Sequence, residues 1–110
     1  MYKTNEKYIE EILADLEFII AHMTGVTKEV LEADPVLTDS MSFRLIQISE
    51  KSKCLSEDFK ELHDDVPWYE MNALRNRLVH DYGSVDLSIV FDTLTKDIPS
   101  LRDELKTLLK

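Results

Sequence analysis

Apolar residues recur every three or four positions along most of this chain, and no segment alternates apolar and polar residues convincingly. That spacing places apolar side chains on one face of an α-helix, whereas a half-buried strand needs alternation. The first such pattern consists of Ile9, Ile12, Leu13, Leu16, Ile19, Ile20 and Met23. Two glycines and three prolines among 110 residues leave little material for hairpin turns. The sequence therefore predicts an all-α fold.

Turn and capping residues predict the helix ends in the first half of the chain. We expect the first helix to end at Gly25, since glycine accepts the left-handed conformation of a helix cap. A short helical turn over residues 28–33 is expected before Pro35. The second long helix should be capped by a side chain among residues 38–40 and should extend to Leu62, with a bend near Leu55-Ser56. Its predicted buried face comprises Met41, Leu45, Ile48, Ser52, Leu55, Phe59 and Leu62.

Prolines and glycines also predict the helix ends in the second half. The third helix is expected over residues 67–82, with Gly83 as its stop. A fourth helix should begin after Asp86, and Pro99 should kink or restart it. We therefore predict an up-and-down bundle of four to five helices in a single domain that comprises residues 1–110.

Composition and charge argue against several classes of protein. The formal net charge of −9 argues against broad, sequence-indifferent binding to nucleic acids, which depends on many Lys and Arg contacts to phosphate. Gly25 and Gly83 alone cannot form a dinucleotide-binding fingerprint or a Walker loop. No apolar run approaches the roughly 20 residues of a membrane span, and the amino terminus does not resemble a signal peptide. Cys54 is the only cysteine, so no internal disulfide can form. We expect a cytoplasmic protein with no membrane partner and no cofactor.

Residues 71–80 form a basic island in this acidic chain. They contain no Asp or Glu but carry Arg75, Arg77 and His80. Arginine can hold a phosphate through its planar fork, and histidine titrates near neutral pH. Together these side chains are the minimum set for metal-free phosphodiester chemistry. His80 also lies in the last turn of the expected helix, where the helix dipole favours a protonated imidazole.

Helical geometry places the polar residues of this island at different angles. At about 100° per residue, Arg75 and Tyr82 would lie on nearly one line of the helix, whereas His80 lies about 140° from Arg75. Asn76 falls between Arg75 and His80, one turn before His80. Long Arg and Tyr side chains can reach the groove between these lines. On spacing alone, a solvated helix face is the more common interpretation.

The eight residues from Arg75 to Tyr82, Arg-Asn-Arg-Leu-Val-His-Asp-Tyr, resemble the signature of the HEPN superfamily: Arg, four residues, His, one residue, Tyr. The resemblance is to its HepT-like branch, ribonuclease toxins that are paired with small nucleotidyltransferase antitoxins. Residues 66–68 before the motif, and 85–86 and 97–101 after it, are also similar to the family, as is the helical pattern over the whole chain. One departure occurs at residues 49–51, Ser-Glu-Lys, where the family often has Gly-Glu-Ala. If that step lies at a tight helix contact, we expect Lys51 to alter the local packing or the partner geometry.

The resemblance implies a metal-independent endoribonuclease that is active as a homodimer, with two motif helices lining one cleft. Attack by the 2′-hydroxyl of the RNA itself needs a base, an acid and a cation. A two-fold dimer supplies two copies of His80, one as base and one as acid, while Arg75 clamps the phosphate. Asn76 would orient His80 or a phosphate oxygen, and Arg77 would support phosphate binding. By resemblance, Tyr82 accepts AMP units from the nucleotidyltransferase antitoxin.

The acidic charge is also compatible with a second function, and several side chains outside the motif carry reactive or metal-binding groups. A non-catalytic helical scaffold that binds a nucleotide, or that positions a nucleotidyltransferase, would suit the acidic charge better, because a ribonuclease gains from a cationic approach path. Residues 63–65, His-Asp-Asp, contain metal-binding groups, but adjacent helical residues point apart, so a solvated helix end is the preferred interpretation. Trp68 could stack on a base but is more often a core or interface residue. Cys54 is interpreted as structural, and His22 as a partner of the first helix dipole.

Overall fold

The computed structural model describes residues 4–109; residues 1–3 and residue 110, which the sequence predictions also covered, lie outside the described residues. Within residues 4–109 the chain forms helices and no strand, which confirms the predicted all-α fold. The helices are α1 (Asn5–Met23), α2 (Lys28–Ala33), α3 (Pro35–Lys53), α4 (Glu57–Leu62), α5 (Trp68–His80), α6 (Leu87–Asp92) and α7 (Ile98–Thr107). A 3₁₀ turn (Tyr82–Ser84) follows α5, and a π-helical turn (Thr93–Asp97) joins α6 to α7.

The long helices pack as a bundle around α1. Both α3 and α7 pack against α1, while α5 packs mainly against α3, so that much of the α5 surface stays accessible. The buried core contains Ile9, Ile12, Leu16 and Ile19 of α1, Met41, Leu45 and Ile48 of α3, Leu78 of α5, and Ile98, Leu101 and Leu105 of α7. Of the helices described, none combines the length and the apolar character that crossing a bilayer would require.

The first two helices have the ends that the sequence predicts. The Thr4 hydroxyl caps α1 by accepting the N–H of Lys7 at 3.1 Å. Gly25 follows the helix with a φ of 76°, a conformation that costs little free energy when no Cβ is present. The predicted helical turn over residues 28–33 is α2, and Pro35 separates it from the next helix.

The second long helix, α3, starts earlier than predicted. Asp34 caps it, and not a side chain among residues 38–40: the Asp34 carboxylate accepts the N–H of Leu37 at 3.1 Å. Pro35 occupies the first turn, where its missing N–H would have no partner within the helix and its fixed φ suits helical backbone. Pro35 therefore ends one helix and begins another.

The chain breaks after Lys53 and restarts as α4, which agrees with the bend predicted near Leu55-Ser56, but the prediction of a single helix that continues to Leu62 is wrong. The Ser56 hydroxyl caps α4 by accepting the N–H of Phe59 at 3.2 Å. The backbone N–H of Ser56 in turn donates to the side-chain oxygen of Asn5 on α1, at 3.0 Å. Beyond this hydrogen bond the chain continues as the separate helix α4. Leu62 at its end is 77% exposed, although the sequence pattern predicted it to be buried. Buried as predicted are Met41, Leu45, Ile48, Ser52 and Leu55.

The helix that carries the basic island, α5, is shorter than the predicted span of residues 67–82. It ends at His80, and Asp81 leaves helical geometry with φ −132° and ψ 35°. Gly83, the predicted stop, lies in the 3₁₀ turn and does not adopt a positive φ. Tyr82 is therefore not part of α5, although the predicted line through Arg75 and Tyr82 requires that it should be.

Pro99 lies in the first turn of α7, in agreement with the predicted restart. In the π-helical turn before it, the N–H of Ile98 donates to the carbonyl of Thr93, five residues back. Pro99 has no N–H to donate to the carbonyl four residues before it, so the regular ladder is interrupted there. The wider turn joins α6 to α7 without a loop.

Lys51, the departure from the family pattern, pairs with a buried acid. Asp15 of α1 is 3% exposed, and its two oxygens lie 2.7 Å from the Lys51 ammonium and 2.9 Å from the Arg44 guanidinium. Arg44 also lies over the ring of Phe18, at 3.9 Å from its centroid. The contact between α1 and α3 therefore accommodates a long side chain because its charge is neutralised there.

Candidate functional site

Arg75 lies on the side of α5 that faces α3. Its Nε donates to Oε1 of Glu50 at 2.5 Å, and its Nη1 donates to Oδ1 of Asn76 at 3.0 Å. The Arg75 side chain is 21% exposed. Within the part of the chain described, the Nη2 group makes no hydrogen bond, so one edge of the guanidinium is fixed and another is available to a ligand.

His80 is the last residue of α5, and it is exposed. Among residues 4–109 the His80 imidazole has no hydrogen-bond or ion-pair partner, and no bond joins it to the Arg75 side chain. Asn76 lies one turn before His80 and is also exposed, so the two side chains share a face of the helix. The imidazole is therefore open to solvent and can exchange a proton with a bound molecule.

Arg77 lies on the other flank of α5, about 200° around the helix from Arg75. It lines a groove of about 650 Å³ between α3, α5, α6, the π turn and α7. Apolar side chains form much of its wall, among them Leu45, Ile48, Ala73, Leu74, Ile98 and Leu101. The structure thus separates the two arginines, with the face of Asn76 and His80 between them.

Tyr82 contacts α3 from the 3₁₀ turn. Its phenol donates a hydrogen bond to Oδ1 of Asp39, and the side chain remains 44% exposed. Burial raises the pKa of Tyr82, and the hydrogen bond to Asp39 raises it further, because both favour the neutral phenol; the nearby Ser42 hydroxyl acts in the opposite direction. The predicted alignment with Arg75 on one helix is wrong, but Tyr82 still lies two residues after His80.

Sequence reasoning missed the two acids of α3 that hold the motif residues. Asp39 meets Tyr82, and Glu50 meets Arg75. Eleven residues separate these acids, which is about three helical turns, so they lie within about 20° of one line on α3. That spacing was visible in the sequence, but it acquires meaning only when α5 is known to pack against α3.

The other candidate side chains have structural partners. The His63 ring packs against Phe59 with 4.7 Å between centroids, and the His63 carbonyl accepts the indole N–H of Trp68 at 3.0 Å. Trp68 is half-buried, which favours the core interpretation. The described residues contain no group of three or more His, Cys, Asp or Glu that could hold a metal ion.

His22 and Cys54 also lie outside the motif region. His22 donates from Nδ1 to the carbonyl of Phe18 at 2.8 Å and stacks on the Phe18 ring at 4.0 Å, in the last turn of α1. Its place in that turn agrees with the expected interaction with the helix dipole. The Cys54 thiol is exposed and donates to the carbonyl of Glu50 at 3.5 Å.

Comparison with known proteins places the motif in a family. A family model described as ribonuclease HepT-like matches residues 8–108. The chain belongs to the HepT-like ribonuclease family. A relative of this family from Caldanaerobacter subterraneus subsp. tengcongensis, provisionally named an RNase, is 38% identical over 108 residues, which are 98% of this chain and 96% of that protein. Another from Thermococcus cleftensis, provisionally named ribonuclease HepT, is 33% identical over 114 residues that cover 100% of both chains. No solved structure matches the HepT-like chain at a significant level.

Proposed function

We propose that this HepT-like protein is a metal-independent endoribonuclease toxin whose active site forms between two copies of the chain. One observation carries the proposal: a single helix presents Arg75 with one edge of its guanidinium held by Glu50, and His80 exposed without a partner among the described residues. The family match over residues 8–108 and the names of both relatives support RNA as the substrate.

The proposed reaction is transfer of the RNA phosphodiester to its own 2′-oxygen. One His80 accepts the proton of the 2′-hydroxyl as that oxygen attacks phosphorus. A second His80 donates a proton to the 5′-oxygen as its bond to phosphorus breaks. The products are a 2′,3′-cyclic phosphate and a free 5′-hydroxyl, and the pair of histidines is left with its protons exchanged. Arg75 stabilises the negative charge that develops on the phosphorus oxygens.

A second copy of the chain is needed because the motif contains one histidine. A two-fold axis beside α5 would bring a second His80 to the same phosphate, and the exposed face of Asn76 and His80 would line the cleft. The apolar groove along α5 offers a surface for contact with the second copy, and Arg77 lies within that groove. We therefore assign Arg77 to the edge of the cleft, in a supporting contact with phosphate.

The proposal includes neutralisation by a nucleotidyltransferase antitoxin that transfers AMP to Tyr82. The phenol oxygen would attack the α-phosphorus of ATP, pyrophosphate would leave, and the phenol proton would be lost to solvent or to Asp39. The modified oxygen could no longer donate to Asp39, and the added phosphate would carry negative charge two residues from His80. That charge would repel the RNA backbone and block access to the imidazole.

Cleavage assays in EDTA test the enzyme assignment. The purified protein should cut single-stranded RNA in EDTA, and both Arg75→Ala and His80→Ala should abolish cutting while circular dichroism shows an unchanged fold. Continued cleavage by folded His80→Ala protein would reject the assigned role of the imidazole. Incubation with the partner enzyme and ATP should raise the mass of the wild-type protein, but not of Tyr82→Phe, in steps of one AMP.

A non-catalytic scaffold for a nucleotidyltransferase is the second candidate function, and the net charge of −9 favours it. Long-range repulsion would slow the approach of RNA to so acidic a protein. A protein that binds the nucleotidyltransferase, leaves RNA intact and is harmless when expressed alone would support the scaffold. Toxicity that is relieved by co-expression of the nucleotidyltransferase, and lost in His80→Ala, would support the ribonuclease.

A further inference from the structure

A hollow of about 380 Å³ lies beside the amino-terminal half of α5, where α4 and the end of α3 meet it. Tyr69 forms one edge of it, and its polar lining comes from Ser52 and Lys53 at the end of α3, Glu57 and Lys60 of α4, and Asn72 of α5. Tyr69 also borders the apolar groove, so its ring lies on the ridge between the two depressions. The motif residues Arg75 and His80 do not line this hollow.

Tyr69 is the exposed aromatic side chain at this hollow. Tyr69 is 80% exposed, and its side chain makes no hydrogen bond or ring contact with any other residue between 4 and 109. Its neighbour Trp68 is half-buried and bonded through its indole to His63. A large ring that is left in water has an accessible π-face, and any nucleobase can stack on such a face.

The polar side chains of the hollow have weak partners or none. Oδ1 of Asn72 is buried and lacks a hydrogen-bond partner within the described chain. Lys60 pairs at 3.1 Å with Glu57, whose side chain is 82% exposed, and Lys53 lies 3.9 Å from Glu50. The Lys60 side chain is 19% exposed, but the carboxylate partner in each pair is exposed to solvent. Ion pairs with an exposed partner contribute little free energy, so a phosphate can replace the carboxylate as the partner of either lysine.

Helical spacing aligns this hollow with the motif. Tyr69, Asn76 and His80 are separated by seven and four residues, so they lie within about 20° of one line on α5. About 16 Å along the helix axis separates Tyr69 from His80. An extended strand that crosses His80 and follows this face of α5 therefore reaches Tyr69 within a few nucleotides.

We propose that the hollow is an RNA subsite. It binds a single nucleotide that lies a few positions along the strand from the bond that is cut. The base stacks on Tyr69, the amide of Asn72 bonds to the edge of the base, and Lys53 and Lys60 contact the phosphate. This inference rests on the proposed ribonuclease function and extends it to the path of the substrate. The chemistry favours RNA over a protein partner here. The two lysine ammonium groups match a phosphate and the unpaired amide matches a base edge, whereas none of these groups matches the apolar surface of a protein partner.

RNA binding by an inactive variant tests this subsite. In the His80→Ala background, a fluorescent single-stranded RNA would be titrated with the full chain, and its anisotropy measured at several salt concentrations. Adding Tyr69→Ala should weaken binding roughly tenfold, since one base stack is lost, whereas Tyr69→Phe should bind as the parent does. Adding Lys60→Gln should reduce the salt dependence, with the slope falling by about 0.7 for one phosphate contact. Val36→Ala removes an equally exposed side chain from the start of α3 and should leave binding unchanged.

Each contrary result has a distinct meaning. Equal RNA affinity for the Tyr69→Ala variant and its parent would overturn the subsite and leave the ribonuclease proposal standing. A parent that binds no RNA at all would overturn both proposals. Sedimentation of each variant identifies the remaining case: if Tyr69→Ala binds RNA weakly because it has become a monomer, Tyr69 is a contact between copies and the subsite is wrong.

Discussion

Arg75 shares its guanidinium between Glu50 on α3 and Asn76 on its own helix, at 2.5 and 3.0 Å. These two bonds fix the plane of the guanidinium before any substrate arrives. The cost of ordering a long side chain is thereby met during folding and not during binding. In the proposed mechanism Glu50 is therefore a positioning residue for Arg75 that need not touch RNA.

Replacing Glu50 by Ala should lower kcat for RNA cleavage by about ten- to a hundredfold, because the phosphate clamp loses its fixed orientation. The free energy of unfolding should change by less than about 1 kcal/mol, since both side chains of the pair are partly exposed. Glu50→Gln keeps an acceptor for Nε and should recover part of the activity. Unchanged kcat in a folded Glu50→Ala protein would show that Arg75 needs no such support.

Replacing Asp39 by Asn should lower the pKa of Tyr82 toward the value of a free tyrosine. The carboxylate accepts the phenol proton and its charge opposes the phenolate, so both effects raise the pKa in the wild-type protein. Because the folded pKa lies above the unfolded one, the associated stability is present at neutral pH and is lost as the pH rises through the folded pKa. The ultraviolet difference between each protein and its Tyr82→Phe counterpart would follow the ionisation. An unaltered Tyr82 titration in Asp39→Asn would contradict the observed hydrogen bond.

At the scale of the helices, most boundaries could be predicted from local sequence signals, whereas the others involve contacts between distant parts of the chain. Gly25 stops α1 by a property of its own backbone, so the sequence predicts that end correctly. The break between α3 and α4 lies near the bend predicted at Leu55-Ser56, but the bond from Ser56 to Asn5, 51 residues away in the sequence, is contained in no local pattern. The early end of α5 is accompanied by the contact of Tyr82 with Asp39, which likewise joins two elements. The Asp34-Pro35 start of α3 was visible in the sequence, but Pro35 was interpreted only as the end of the preceding helix.

The buried Asp15 predicts how strongly α1 is held to α3. Replacing it by Asn should lower the free energy of unfolding by about 2–4 kcal/mol, because Lys51 and Arg44 then lose the anion that neutralises them. Chemical denaturation would measure the change. Glu17→Gln, on the exposed side of the same helix, removes ion pairs with Arg102 and Lys106 of α7 at 3.4 and 3.7 Å and should cost less than about 1 kcal/mol, because these pairs are solvated. Equal effects of the two substitutions would show that the buried cluster adds nothing to the helix contact.

At the scale of the whole molecule, the proposed mechanism requires two copies of the chain to complete one site. The motif residues were predicted from the sequence because their spacing resembles a family signature; the family match over residues 8–108 shows the family, and the roles of these residues stay a prediction. Their supporting acids, Asp39 and Glu50, could not be assigned from sequence because they depend on how α3 and α5 pack. The separation of Arg75 from Arg77 follows from helical geometry, but only the packed structure shows which arginine faces α3 and which faces the groove.

The central claim is that each cut requires His80 from two copies of the chain. Mixing wild-type protein with His80→Ala protein, after subunits have exchanged, tests it most directly through the rate of RNA cleavage in EDTA. At equal amounts the rate should fall to about a quarter of that of the same total concentration of wild type, since only dimers with two intact histidines can act. A rate of about one half would show that a single chain contains the complete site and would contradict the claim.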